Sequence, residues 1–95
     1  MKPFRISPKV TEKLREKHDV SHEEIWQCFL NREGPSFRDS REKHATNPPS
    51  LWFVAPTDKG RVLKVVYIEY PTYYAIKSAF EPKDGSDKLY AELCS

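Results

Sequence analysis

The chain has 95 residues, 38% of them hydrophobic and 13% aromatic, enough for one thin core, so a single small domain is expected. Charged residues make up 32% with both signs interspersed, so no disordered single-sign tail is present. The net charge of +2 permits nucleic-acid binding without requiring it.

The N-terminal stretch MKPFRISPKVTEKLREK is charged throughout and has no signal-peptide core. Phe4, Arg5 and Ile6 predict a short strand. Ser7-Pro8 then reads as an N-cap followed by proline at the first helical position. Val10 and Leu14, at i and i+4, carry a first helix to about Lys17 or His18. The stretch Ser21-His22-Glu23-Glu24 is an S-x-x-E capping box, with Val20 and Ile25 at the spacing of a hydrophobic staple. It opens a second helix with an apolar face of Ile25, Trp26, Cys28, Phe29 and Leu30, ended by Gly34-Pro35.

Mostly strand follows. Residues 37–40 predict a short strand, and a polar loop carrying Arg41, Lys43 and His44 closes at Pro48-Pro49. Residues 51–55, 61–70 and 73–80 are rich in aromatic and β-branched side chains and are separated by turn-forming stretches. The longest apolar run, residues 51–55, is far too short to cross a membrane. Ser86 or Asp87 caps a last short helix containing Leu89, Tyr90 and Leu93. Cys28 and Cys94 lack any C-x-x-C spacing, so ordinary thiols in the cytoplasm are expected.

The order β-α-α-β-β-β-β-α predicts one α+β domain over residues 1–95. A small twisted antiparallel sheet packs against two N-terminal helices plus a short C-terminal helix, and the other sheet face is left for a partner. Strict alternation assigns Tyr74, Ile76, Ser78 and Phe80 to one face and Tyr73, Ala75, Lys77 and Ala79 to the other.

The stretch EKHDVSHEEIWQCF, residues 16–29, resembles the K-H-G-V-S-F-E-E-A-x-x-V-F signature of BrnT-type toxins. LWFVAPTDKGRVLKVVYIE and YAIKSAFE resemble the same family's G-R-x-L-x-V-V and I-x-S-A-R strands. Asp19 stands where that family has glycine and Phe80 where it often has arginine. The resemblance implies a fold similar to the RelE and ParE toxins, a ribonuclease activity, and a cognate antitoxin that silences it. Similar short proteins are sometimes labelled ADP-ribosyl-(dinitrogen reductase) hydrolase, but such an enzyme needs an acidic metal-binding cluster that this sequence lacks.

Metal-independent RNA cleavage needs a base for the 2′-hydroxyl, an acid for the leaving oxygen and a cation for the phosphorane. Arg61, in the matching G-R-x-L stretch, is either the phosphate fork or a solvated arginine beside Asp58. His44 titrates near neutrality and is the candidate acid or base. Lys77 supplies further charge at the reacting centre. Lys64, Arg41 and Lys43 are candidate phosphate contacts, and Tyr70 and Tyr73 candidate stacking partners for bases. His18, at a helix end, reads first as a capping or packing residue. No cofactor motif and no metal-ligand spacing is present. The expected partners are RNA and an antitoxin protein. The alternative is a non-catalytic module of the same fold that binds RNA or protein.

Overall fold

The computed structural model describes residues 2–39 and 48–95. In chain order these form β1 (Phe4–Arg5), α1 (Pro8–Lys13), a π-helical turn (Leu14–His18), α2 (His22–Asn31), β2 (Phe37–Arg38), β3 (Ser50–Pro56), β4 (Val62–Glu69), β5 (Tyr74–Phe80) and α3 (Ser86–Cys94). The class is α+β. No described helix is long and apolar enough to cross a membrane.

Local chemistry explains both N-terminal helices. The Ser7 hydroxyl accepts from the Val10 amide at 3.2 Å, with Pro8 opening α1. The helix does not stay α-helical to His18, as the sequence suggested. From Leu14 it widens into the π turn, and the Leu14 carbonyl accepts from the amides of both Asp19 and Val20. Asp19 closes the turn in the left-handed conformation, at φ 52°. At the start of α2 the capping box is complete: Ser21 Oγ accepts from the Glu24 amide and Glu24 Oε1 from the Ser21 amide, each at 3.1 Å.

The five strands lie in the order β1-β5-β4-β3-β2. β2 to β5 form an antiparallel series, but β1 pairs parallel with β5, Phe4 opposite Tyr74 and Arg5 opposite Ala75. The sheet is therefore mixed rather than wholly antiparallel. The helical stretch carries the chain from β1 at one edge to β2 at the other, and the meander then returns to pair its last strand with β1.

Alternation along the strands sorts the aromatic side chains onto two faces. On the first, Phe29 of α2 lies 4.8 Å from Phe53, 5.1 Å from Tyr67 and 5.2 Å from Tyr74. Leu14, Ile25, Phe53, Leu63 and Val65 are sealed from solvent in this core. The second face is not left wholly open. Tyr90 of α3 packs there against Trp52 and Phe37. The loop before β2 is pinned to α3, where Tyr90 Oη donates to the Pro35 carbonyl at 2.7 Å. Gly34 is required there: a Cβ would come within 2.7 Å of both Tyr90 Oη and Cys94 Sγ.

A shift of register lies between Val66 and Tyr67. Val66 faces Ser78 while Tyr67 faces Ile76, so Lys77 is bulged out of the ladder. The bulge overturns strict alternation in β5. Tyr74, Ile76 and Ala79 share the face of Tyr67 and Val65, whereas Ala75, Ser78 and Phe80 share the face of Ile68, Val66 and Lys64.

Candidate functional site

Arg61 sits just before β4, and its guanidinium is already engaged. Its Nε donates to Glu81 Oε1 at 2.8 Å, and one terminal nitrogen donates to both oxygens of Glu24 at 3.2 and 3.1 Å and to the Asp19 carbonyl at 2.6 Å. The other terminal nitrogen donates to the His18 carbonyl at 2.8 Å. The hydrogen bond to Glu81 leads in holding the Arg61 pKa above its ordinary value, with Glu24 adding to it. Burial works against the Glu24 carboxylate. The Ser21 amide and Arg61 outweigh that cost and bring its pKa below the usual range. Arg61 therefore clasps the end of the π turn, the start of α2 and the end of β5 in one network, instead of presenting an empty fork to a phosphate.

On one side of this clasp lies an acidic hollow, lined by Asp19, Glu23, Glu24 and Asp58 with Lys59 and Arg61. Such a hollow repels a phosphodiester. On the other side an open groove of about 440 Å³ is lined by Lys17, His18, Phe80, Glu81, Lys83 and Asp84. The imidazole of His18 stands against the Phe80 ring, with centroids 5.5 Å apart. Partial burial, aided by the nearby charges of Lys13 and Lys17, lowers the His18 pKa, so the ring is neutral at neutral pH. The groove thus brings together a neutral imidazole, two ammonium groups and an aromatic face, beside the carboxylates of Glu81 and Asp84, which Arg61 and Lys64 engage.

The other residues singled out in the sequence fall in different places. Lys64 is not on an open face: only 7% exposed, it donates to Ser86 Oγ at 2.9 Å and lies 3.7 Å from Asp84 Oδ2. Its ammonium also sits 4.9 Å from the Trp52 ring centroid. Strand alternation put a lysine among apolar neighbours, and Ser86 at the start of α3 and Asp84 just before it supply the partners that offset this burial. Lys64 is thereby corrected from a phosphate contact to a buried link between β4 and the start of α3.

Tyr70, Tyr73 and Lys77 do come together, but away from Arg61. Tyr73 stacks on Tyr70 at 4.9 Å with an interplanar angle of 23°, and the Arg5 guanidinium covers Tyr73 at 4.4 Å. Lys77, Tyr73 and Arg5 line a second hollow at the β1–β5 edge. With about 3.3 Å rise per strand residue, Tyr73 and Phe80 stand about 20 Å apart along β5. His44, Arg41 and Lys43 lie outside the described residues.

Of the groove residues, Lys17 and Lys83 were not singled out in the sequence, and His18 was read first as a capping or packing residue. His18 and Lys17 were visible in the K-H pair of the signature; Lys83 carried no signal beyond its charge. The chain matches no family model, and no curated protein matches it.

Proposed function

We propose that the protein is a metal-independent ribonuclease, a BrnT-like toxin of the RelE type that a cognate antitoxin holds silent. The observation that carries this reading is His18, kept neutral against Phe80 in a groove flanked by Lys17 and Lys83. The antiparallel meander of β3, β4 and β5 after two consecutive helices is what a RelE-like domain requires. Position 80, where the resembling family often carries arginine, borders the same groove. The signature residues His18, Asp19, Ser21 and Glu24 meet the arginine of the G-R-x-L stretch in one network, which gives both motifs a shared structural reason.

The chemistry follows from these groups. His18 takes the proton of a ribose 2′-hydroxyl, and the freed oxygen attacks the adjacent phosphorus. The bond from phosphorus to the 5′-oxygen breaks, and an ammonium, Lys17 or Lys83, returns a proton to that oxygen. The products are a 2′,3′-cyclic phosphate and a 5′-hydroxyl. Arg61 is a positioning residue here, fixing the His18 backbone through its carbonyl.

The engagement of Arg61 by two carboxylates favours the second reading, a non-catalytic module that binds RNA or protein. Incubating the purified protein with mixed RNA in EDTA and identifying the new ends decides between them. Cleavage to cyclic or 3′-phosphate ends, reduced roughly 10²–10⁴-fold in His18→Gln, is the expected result. RNA that stays intact, alone and in translating extract, overturns the ribonuclease.

A further inference from the structure

Three of the five tyrosines, Tyr67, Tyr74 and Tyr90, belong to the hydrophobic core or pack against it; Tyr70 and Tyr73 do not. These two form an ordered stack at the β4–β5 turn, where the Tyr70 amide donates to the Tyr73 carbonyl at 2.9 Å. Arg5 extends the stack to three planar groups. Among the described residues the hollow beside it is lined by two cations, Arg5 and Lys77, and by no carboxylate. The core does not need these rings, and aromatic planes interleaved with positive charge suit a ligand with both flat faces and phosphates.

The bulge at Lys77 adds geometry. On the second face of the sheet, β5 presents Phe80, Ser78 and Ala75 in succession, and Tyr73 follows on the same side. Two aromatic groups are thus separated by small, half-buried residues, with exposed Lys77 displaced beside them. An unbroken alternation would have turned Phe80 and Tyr73 to opposite faces.

We infer that the Arg5–Tyr73–Tyr70 stack is a base-stacking subsite for single-stranded RNA, with Lys77 taking a phosphate, at the far end of a track that runs along β5 from the His18 groove. The inference rests on the proposed RNA reading and adds a second contact region about 20 Å from the first. Bases in a duplex are already stacked and paired, so the subsite selects single strands.

The test measures binding of a fluorescein-labelled, 2′-O-methylated single strand of about a dozen nucleotides, which lacks the attacking hydroxyl and stays whole. At low salt the wild-type protein should bind this strand and bind its duplex far more weakly. Tyr73→Ala and Lys77→Gln should each weaken binding roughly tenfold, while Tyr73→Phe should bind as the wild type does. His18→Gln should fail to cut unmodified RNA. Wild-type affinity in both Tyr73→Ala and Lys77→Gln would overturn the subsite and leave the cleavage reading standing. Binding that depends on Tyr73 and Lys77, with no cleavage by the wild type, would uphold the subsite and sink the ribonuclease. A wild type that neither binds nor cuts overturns both.

Discussion

The pKa of the His18 imidazole lies below its ordinary value of 6.5 because partial burial disfavours the charged ring, and the ammonium groups of Lys13 and Lys17 oppose it further. The unfolded chain therefore binds a proton more readily at this position than the folded one. The resulting contribution to stability is fully present above pH 6.5 and is lost as the pH falls from there through the folded-state pKa. Acidifying from about pH 7 to about pH 5 should cost the wild type more stability than His18→Gln, as read from urea midpoints at the two pH values. Equal losses in the two proteins would remove His18 from the account. If the same ring is the general base, the acidic limb of the cleavage rate should also fall below pH 6.5 and not above it.

At the scale of elements, the Arg61 clasp joins the π turn, α2 and β5. Removing it leaves a half-buried Glu24 without its cation and frees two backbone carbonyls at the end of the π turn. Arg61→Ala should destabilise the domain by about 1–3 kcal/mol, the range for hydrogen bonds to charged groups, lowered by partial exposure of the network. Arg61→Lys should restore only part of this, because a single ammonium does not reproduce a planar fork reaching four acceptor groups. Denaturant unfolding of the three proteins measures both. A loss of the proposed RNA cleavage in Arg61→Ala is therefore to be judged beside its stability. The elements themselves were largely legible. The capping box at Ser21 and Glu24, the proline opening α1 and the three β-rich runs are local signals, and local chemistry decides them. The π turn, the bulge at Lys77 and the parallel pairing of β1 were not legible. Each depends on contacts between segments distant in the sequence, which override a local period. For the same reason Lys64 looked exposed: its partners, Asp84 and Ser86, lie on a segment that folds back from beyond β5.

A net charge of +2 for the chain conceals an uneven placing of charge among the described residues. Asp19, Glu23, Glu24 and Asp58 gather with Lys59 on one side of Arg61, Lys17 and Lys83 lie on the other beside the ion-paired Glu81 and Asp84, and Arg5 and Lys77 stand at the opposite end of β5. A strand of RNA lying along β5 would meet these last four cations. Its binding constant should then fall with salt at a log–log slope of roughly −3, at about −0.7 for each single-strand phosphate contact. Lys77→Gln should reduce the slope by about 0.7, and Lys59→Gln, in the acidic hollow, should leave it unchanged. Titrations at several salt concentrations provide the check.

The parallel pairing of β1 with β5 also bears on how the chain reaches this structure. Phe4 and Arg5 are made early, yet their hydrogen-bonding partners, Tyr74 and Ala75, arrive only after both N-terminal helices and three further strands. While the protein is being synthesised, the capped α2 can form at once, but the sheet edge beside it has no neighbour until most of the chain has left the ribosome. Closing so long a loop makes this pairing one of the slowest contacts to form. The Arg5–Tyr73 stack cannot precede it, so the proposed RNA-binding face should be among the last surfaces to appear in a newly made molecule.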